Sequence, residues 1–301
     1  MKSVRFSGVG LHSGASVTLL IHPANPGFGL QLKRTDVELG SDVFQAHWTS
    51  VSQSPLCTRL VNECGVSVST IEHVMAALAG CGVHNALIEL NGPEAPILDG
   101  SAVPFVEKIL AGGVRKQDVP VTVLKVRKIV EFHSADSWAR LAPATSLQMD
   151  FHIDFADAAI GRQSKSLNMA NGAFVRELCN SRTFCRQADV ENMRANGLAL
   201  GGSLHNAVVV DGETVLSPGG LRYRDEAVRH KMLDAVGDLA LAGAPIIGHY
   251  TGFRAGHAIT NSLLRKLFLL PGAVERLECT PDMVENLLGV GVTEREIPTF
   301  T

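Results

Sequence analysis

A charged stretch, Arg115-Lys116-Gln117-Asp118-Val119-Pro120, follows a Gly-Gly pair at 112 and 113 and precedes the strand-like run Val121-Thr122-Val123-Leu124-Lys125-Val126. A break of this kind divides the chain into residues 1–120 and 121–301, each long enough to bury a core of its own. On the first side, residues 15–22 and 84–91 are β-branched or apolar and bounded by Gly, Pro or Asn, which predicts strands. Between them the pattern predicts a helix. Ser69 or Thr70 can cap it, Glu72 lies in its first turn, Met75, Ala76, Leu78 and Ala79 give it an apolar surface, and Gly80 and Gly82 end it. On the second side strands are predicted near 121–132, 138–142, 147–154 and 206–210, and helices near 172–180, 186–196, 225–242 and 260–270. Two α+β halves with a similar order of elements account for this most simply.

The 27 Lys and Arg against 30 Asp and Glu leave a net charge of −3, so no global field draws the chain to nucleic acid or to an anionic membrane. Nowhere do 18 apolar residues run together, and the start, Met1-Lys2-Ser3-Val4-Arg5-Phe6-Ser7-Gly8, has no signal-peptide character. The expectation is a cytoplasmic protein that does not span a membrane. The six cysteines are scattered, without the two-residue spacing of structural zinc or redox motifs, which also suits a reducing compartment.

Chemistry is suggested first by the helical segment from Asp225 to Asp238. His230 and Asp234 are four residues apart and project from one face, offering an imidazole nitrogen and a carboxylate oxygen, donors that suit zinc. Spacing alone is better explained by a surface pair on a charged helix, since such pairs are common. Against that stands placement: Asp238 extends the polar stripe while Leu233, Val236, Leu239 and Leu241 are apolar. The pair Glu72-His73 is a second candidate, in which one residue binds metal and its neighbour serves as base. Taken alone, a carboxylate favoured by a helix N-terminus beside a packed histidine is the better explanation. His257 follows Gly256 in what reads as a loop, where a lone histidine is usually a surface residue. The run Ser181-Arg182-Thr183-Phe184 reads by default as a helix end with an exposed polar pair.

Taken together, these segments resemble the UDP-3-O-acyl-N-acetylglucosamine deacetylase family of lipid A biosynthesis. The matching pieces are Gly8-Val9-Gly10-Leu11-His12-Ser13-Gly14, Ser69-Thr70-Ile71-Glu72-His73, Pro96-Ile97-Leu98-Asp99-Gly100-Ser101-Ala102, Ser181-Arg182-Thr183-Phe184, Leu200-Gly201-Gly202-Ser203 and Arg229-His230-Lys231-Met232-Leu233-Asp234. The resemblance implies two similar α+β domains, each a mainly antiparallel sheet on a helix layer, with the site between them. It implies one zinc ion on His73, His230 and Asp234, a ligand set that iron(II) also suits, and Glu72 as the base that takes a proton from the attacking water. His257, held by Asp238, would stabilise the oxyanion or protonate the leaving amine, and Thr183 would donate to the same oxyanion. Lys231 would meet the diphosphate or sugar as a point charge, Phe155 would stack on uracil, and Phe184, Leu198 and Leu200 would line a passage for the acyl chain.

The expected reaction is removal of the N-acetyl group from a UDP-3-O-(3-hydroxyacyl)-N-acetylglucosamine by a monomer whose partner is that small-molecule lipid precursor. Four residues depart from the family's usual pattern: His84, His205, Arg186 and Ser137. They touch neither the metal nor the base positions. Two rival readings keep the cleft but change the outcome, one with another N-acetylated sugar nucleotide as substrate, the other an inactive sugar-nucleotide-binding protein.

Overall fold

In a computed structural model, residues 2–54 and 56–299 are described. The first half begins with strands β1 (Val4–Val9), β2 (Ser16–Pro23), β3 (Leu30–Arg34) and β4 (Val43–Gln45). A small sheet follows, of β5 (Val51–Ser52), β6 (Arg59–Val61) and β7 (Ser67–Val68), and then helix α1 (Glu72–Gly80), strand β8 (Ala86–Leu90) and helix α2 (Val103–Ala111). The larger sheet has the order β1-β2-β8-β3-β4, antiparallel except where β3 meets β8. Alternation fixes its faces. In β2, Val17, Leu19 and Ile21 are buried while Ser16 is exposed, so a one-residue slip would turn the apolar set outward, at about 1.5–3 kcal/mol for each large side chain.

Residues 112–121 carry no helix or strand. The second half comprises β9 (Thr122–Val126), β10 (Val130–Ser134), β11 (Ser137–Ala142), β12 (Leu147–Asp154), β13 (Arg162–Asn168), β14 (Phe184–Arg186), helix α3 (Gln187–Ala195), β15 (Val208–Asp211) and β16 (Thr214–Val215). Helix α4 (Glu226–Ala240), strand β17 (Ile246–Phe253), helix α5 (His257–Leu269), strand β18 (Val274–Glu278) and the short α6 (Pro281–Val284) complete it. Its large sheet contains the path β10-β11-β17-β12-β13, with β9 and β18 added beyond β17. Each half therefore repeats one order: a hairpin, then the strand that follows the central helix, then the third and fourth strands. The one parallel pair on each path falls at the same place, β3 with β8 and β12 with β17. The chain is an α+β protein of two similar parts, and α1 and α4 are the equivalent helices.

These two helices pack against each other. Both are buried nearly all round: eight of the nine residues of α1 and twelve of the fifteen in α4. What lets them approach is Gly237, where an added β-carbon would lie 2.1 Å from the backbone oxygen of Glu72. Helix α2 lies on β1, and α4 and α5 cover β10 to β13, so one continuous apolar core runs through both parts.

Several local expectations need correction. Neither Ser69 nor Thr70 caps α1: Ile71 stands at the cap position without a side-chain bond, and Thr70 takes the left-handed φ of 56° while its hydroxyl donates to Glu94. The strand expected over 121–132 is two, because β9 pairs with β17 and β18 while β10 turns to β11. The helix expected near 172–180 is a π-helical turn at Phe174–Leu178, and α5 begins at His257 rather than near 260. Among the described residues the six cysteines form no disulfide, and no helix is long and apolar enough to cross a membrane.

Candidate metal and catalytic site

The i,i+4 spacing on α4 sets His230 Nε2 3.3 Å from Asp234 Oδ1, and α1 brings His73 Nε2 to 3.7 Å from the same oxygen. The three donor atoms lie within 4.8 Å of one another and all three residues are buried. His230 Nδ1 donates to the carbonyl of Ser181 at 2.9 Å, which turns the lone pair of Nε2 toward the cluster. Burial pushes its imidazole down to about 4, so it stands neutral, as a ligand must. Asp234 Oδ2 accepts from Lys231 Nζ at 2.7 Å, but Oδ1 is buried with no hydrogen-bond partner. A buried carboxylate oxygen left bare is costly. Its neighbours are two imidazole nitrogens, a donor set that fits a divalent cation such as zinc. Burial would raise the Asp234 carboxyl, yet His230, charged only at the low pH where this carboxyl titrates, and Lys231 hold it well below the usual range, so it is ionised.

Around this cluster stand two further groups. Glu72, the first residue of α1 and 4% exposed, is fixed by the backbone N–H of Thr58, which donates to Oε2 at 2.9 Å. Burial pushes its carboxyl up, against the pull of His257 and His73. His257 opens α5; its Nδ1 donates to Asp238 Oδ2 at 2.9 Å, and its Nε2 lies 3.9 Å from both Glu72 Oε1 and Asp234 Oδ2. Burial alone would lower this imidazole, but the carboxylates of Asp238, Glu72 and Asp234 hold it up at about 9. It is therefore a cation at neutral pH, not the solvated loop histidine that its sequence context suggests. Asp238 is closed on its other side by Thr58 Oγ1, which donates to Oδ1 at 2.5 Å.

The Ser181-Arg182-Thr183-Phe184 run is likewise buried rather than exposed at its polar end. Arg182 donates through Nε and Nη2 to Glu226 at 2.9 and 3.1 Å, and Glu226 is 1% exposed. That pair holds the Ser181 carbonyl against His230. Two residues on, Thr183 is fixed by its backbone, its N–H donating to Gly100 and its carbonyl accepting from Val208. Phe184 lies edge-on to His230 at 6.3 Å and edge-on to Phe155 at 5.4 Å, so these two phenylalanines form one aromatic contact beside the cluster. Phe184 also lines a small cavity with Ile160, Val208, Val210 and Leu221. Leu198 and Leu200 are not on that cavity's wall. Leu200 is 55% exposed, and its N–H donates to the carbonyl of His12.

The loop Gly8 to Gly14 is placed by Glu94, whose carboxylate accepts from the backbone N–H groups of His12 and Ser13 at 2.8 and 2.7 Å and from the Thr70 hydroxyl at 2.8 Å. Gly201 in turn donates to Leu11. Segments far apart in sequence thus meet around α1 and the 198–203 turn.

Residues 1–269 match the family described as UDP-3-O-acyl N-acetylglycosamine deacetylase. The chain belongs to that family. It is 46% identical, over 276 residues covering 91% of this chain and 90% of each relative, to proteins named UDP-3-O-acyl-N-acetylglucosamine deacetylase from Shewanella sp. (strain W3-18-1), Shewanella frigidimarina and Shewanella oneidensis. The four positions expected to depart from the family pattern lie away from the cluster's contacts: Arg186 pairs with Asp157, Ser137 opens β11 opposite Ser134, His205 is exposed, and His84 is half-buried with its imidazole pushed down by burial.

Sequence reasoning missed Thr58, Glu94, Glu226, the Ser181 carbonyl and Gly237. Thr58, in part, and the Ser181 carbonyl act through backbone atoms, for which residue type gives no signal, whereas a glycine inside the helix expected over 225–242 is a sign of close packing at Gly237.

Proposed function

We propose that this chain is a zinc-dependent amidohydrolase that removes the N-acetyl group of UDP-3-O-(3-hydroxyacyl)-N-acetylglucosamine, releasing acetate and the free amine in lipid A biosynthesis. The observation that carries the reading is the bare Asp234 Oδ1 facing His73 and His230, with an ionisable base and a charged imidazole at its edge. Membership of the deacetylase family and the names of its relatives support the substrate.

His73, His230 and Asp234 would hold the ion, which when bound acidifies water and polarises the acetamide carbonyl. Glu72 takes the proton at Oε1, the carboxylate oxygen that Thr58 leaves free, and its raised basicity suits that work. His257 gives the proton at Nε2 to the departing amine, its tautomer and orientation set by Asp238. The cationic ring and the hydroxyl of Thr183 also oppose the negative charge that develops on the carbonyl oxygen. Lys231 neutralises Asp234 and presents charge toward the sugar diphosphate. At the far ends of the substrate, Phe155 stacks on uracil and Phe184, Leu198 and Leu200 receive the acyl chain. In this reading the chain divides at residue 120 and works as a monomer in the cytoplasm.

The test is acetate release from the acylated substrate and from UDP-N-acetylglucosamine, with and without added zinc. Strong preference for the acylated form supports the proposal. Equal rates would remove the acyl passage, and no release from either after zinc addition would favour an inactive binding protein.

A further inference from the structure

Thr58 is not a group that chemistry-based reading of the sequence selects, yet every polar group of this residue is committed to the site. It is 3% exposed and stands just before β6 of the small sheet. Its backbone N–H donates to Glu72 Oε2 at 2.9 Å, its hydroxyl to Asp238 Oδ1 at 2.5 Å, and its carbonyl accepts from the N–H of Ile71, the residue at the cap position of α1, at 3.4 Å. Asp238 in turn carries His257 on its other oxygen. One residue therefore spans α1, which bears the base, and α4, whose Asp238 orients the imidazole at the start of α5.

We propose that Thr58 is a positioning residue, setting the distance between Glu72 Oε1 and His257 Nε2 by holding Glu72 through its backbone and the Asp238–His257 pair through its hydroxyl. The inference rests on the roles given above to Glu72 and His257. The physical reason is directional. A carboxylate with only one of its oxygens bonded can swing about its Cβ–Cγ axis. With Oδ1 held by Thr58 and Oδ2 by His257, the Asp238 carboxylate plane is fixed and the imidazole plane with it. Without the hydroxyl, the Asp238 side chain remains buried but is free to rotate, and His257 Nε2 moves away from its 3.9 Å position relative to Glu72.

The test uses the zinc-loaded full chain. Thr58→Val keeps the shape and the backbone N–H and removes the hydroxyl; Thr58→Ser keeps the hydroxyl. Expected for Thr58→Val is a fall in kcat of about 10- to 100-fold with KM changed less than about threefold, the size of loss that a small misplacement of catalytic groups produces. Thr58→Ser should return most of it. Added to His257→Gln, Thr58→Val should cost less than about twofold more, because the hydroxyl acts through an imidazole already gone. Serine no better than valine, or losses that multiply in the double variant, would overturn the proposal.

A measurement independent of turnover separates this inference from the functional reading. The Nδ1–H proton of His257, bonded to a carboxylate, gives a downfield proton resonance that disappears in His257→Gln. It should shift in Thr58→Val and hold its place in Thr58→Ser; an unmoved resonance in Thr58→Val would contradict the coupling. If the wild-type chain released no acetate, the proposed reaction would fail while this resonance still decided the role of Thr58.

Discussion

The backbone oxygen of Glu72 lies 2.1 Å from where a β-carbon on Gly237 would stand, so the two halves of the candidate site meet at a glycine. The contact is backbone against backbone, which no rotamer can relieve. Gly237→Ala should separate α1 from α4, cost about 1–3 kcal/mol of stability by overpacking, and lower kcat by on the order of 100-fold through displacement of Glu72 and His73. Thermal unfolding and turnover together check this. An alanine variant with wild-type turnover would mean that the close crossing does not set the site.

Removing the base should separate chemistry from metal binding. Glu72→Gln keeps an oxygen for the Thr58 N–H but cannot take a proton, so turnover should fall ~10²–10⁴-fold with metal content unchanged. A variant that lost its metal as well would show Glu72 to be part of the ligand set.

The His257 imidazole, held up at about 9 by Asp238, Glu72 and Asp234 despite its burial, gives the pH profile a definite sign. As proton donor it is competent while charged, so kcat should fall as pH rises through about 9. Its contribution to stability runs the same way. It is fully present below the ordinary histidine value of 6.5 and lost as pH rises through about 9. Asp238→Asn, which removes the first carboxylate that raises this group, should move the alkaline limb to lower pH. A limb that stays in place would assign it to another group.

Arg182 and Glu226 form the buried ion pair that carries the Ser181 carbonyl to His230. Glu226→Ala leaves the guanidinium buried without its partner and should cost about 3–5 kcal/mol in denaturant unfolding. Replacing both by apolar residues of similar size should cost less. If the single variant lost under about 1 kcal/mol, as a solvated pair would, the pair would not be structural.

Much of this architecture is legible in the sequence. The alternation in residues 15–22 and the four-residue spacing of His230 and Asp234 read directly as a strand and a helix face, because both depend only on neighbours in the chain. The link from His73 to that face did not, since it arises where α1 crosses α4, and only the family resemblance supplied it. Thr70 misled because a good capping residue was instead drawn to Glu94, a partner distant in sequence and close in space. Arg182 read as exposed because its ion-pair partner, Glu226, belongs to α4, distant in sequence. Thr58 was invisible for a different reason: part of its work is done by a backbone N–H that every residue but proline possesses.

The most direct test of the site is the zinc content of the purified Asp234→Ala chain beside the wild type, measured by elemental analysis. Three buried donors converging on one point predict about one ion per wild-type chain and a large loss when the Asp234 carboxylate is removed. Equal zinc in both would place the metal elsewhere and contradict the account.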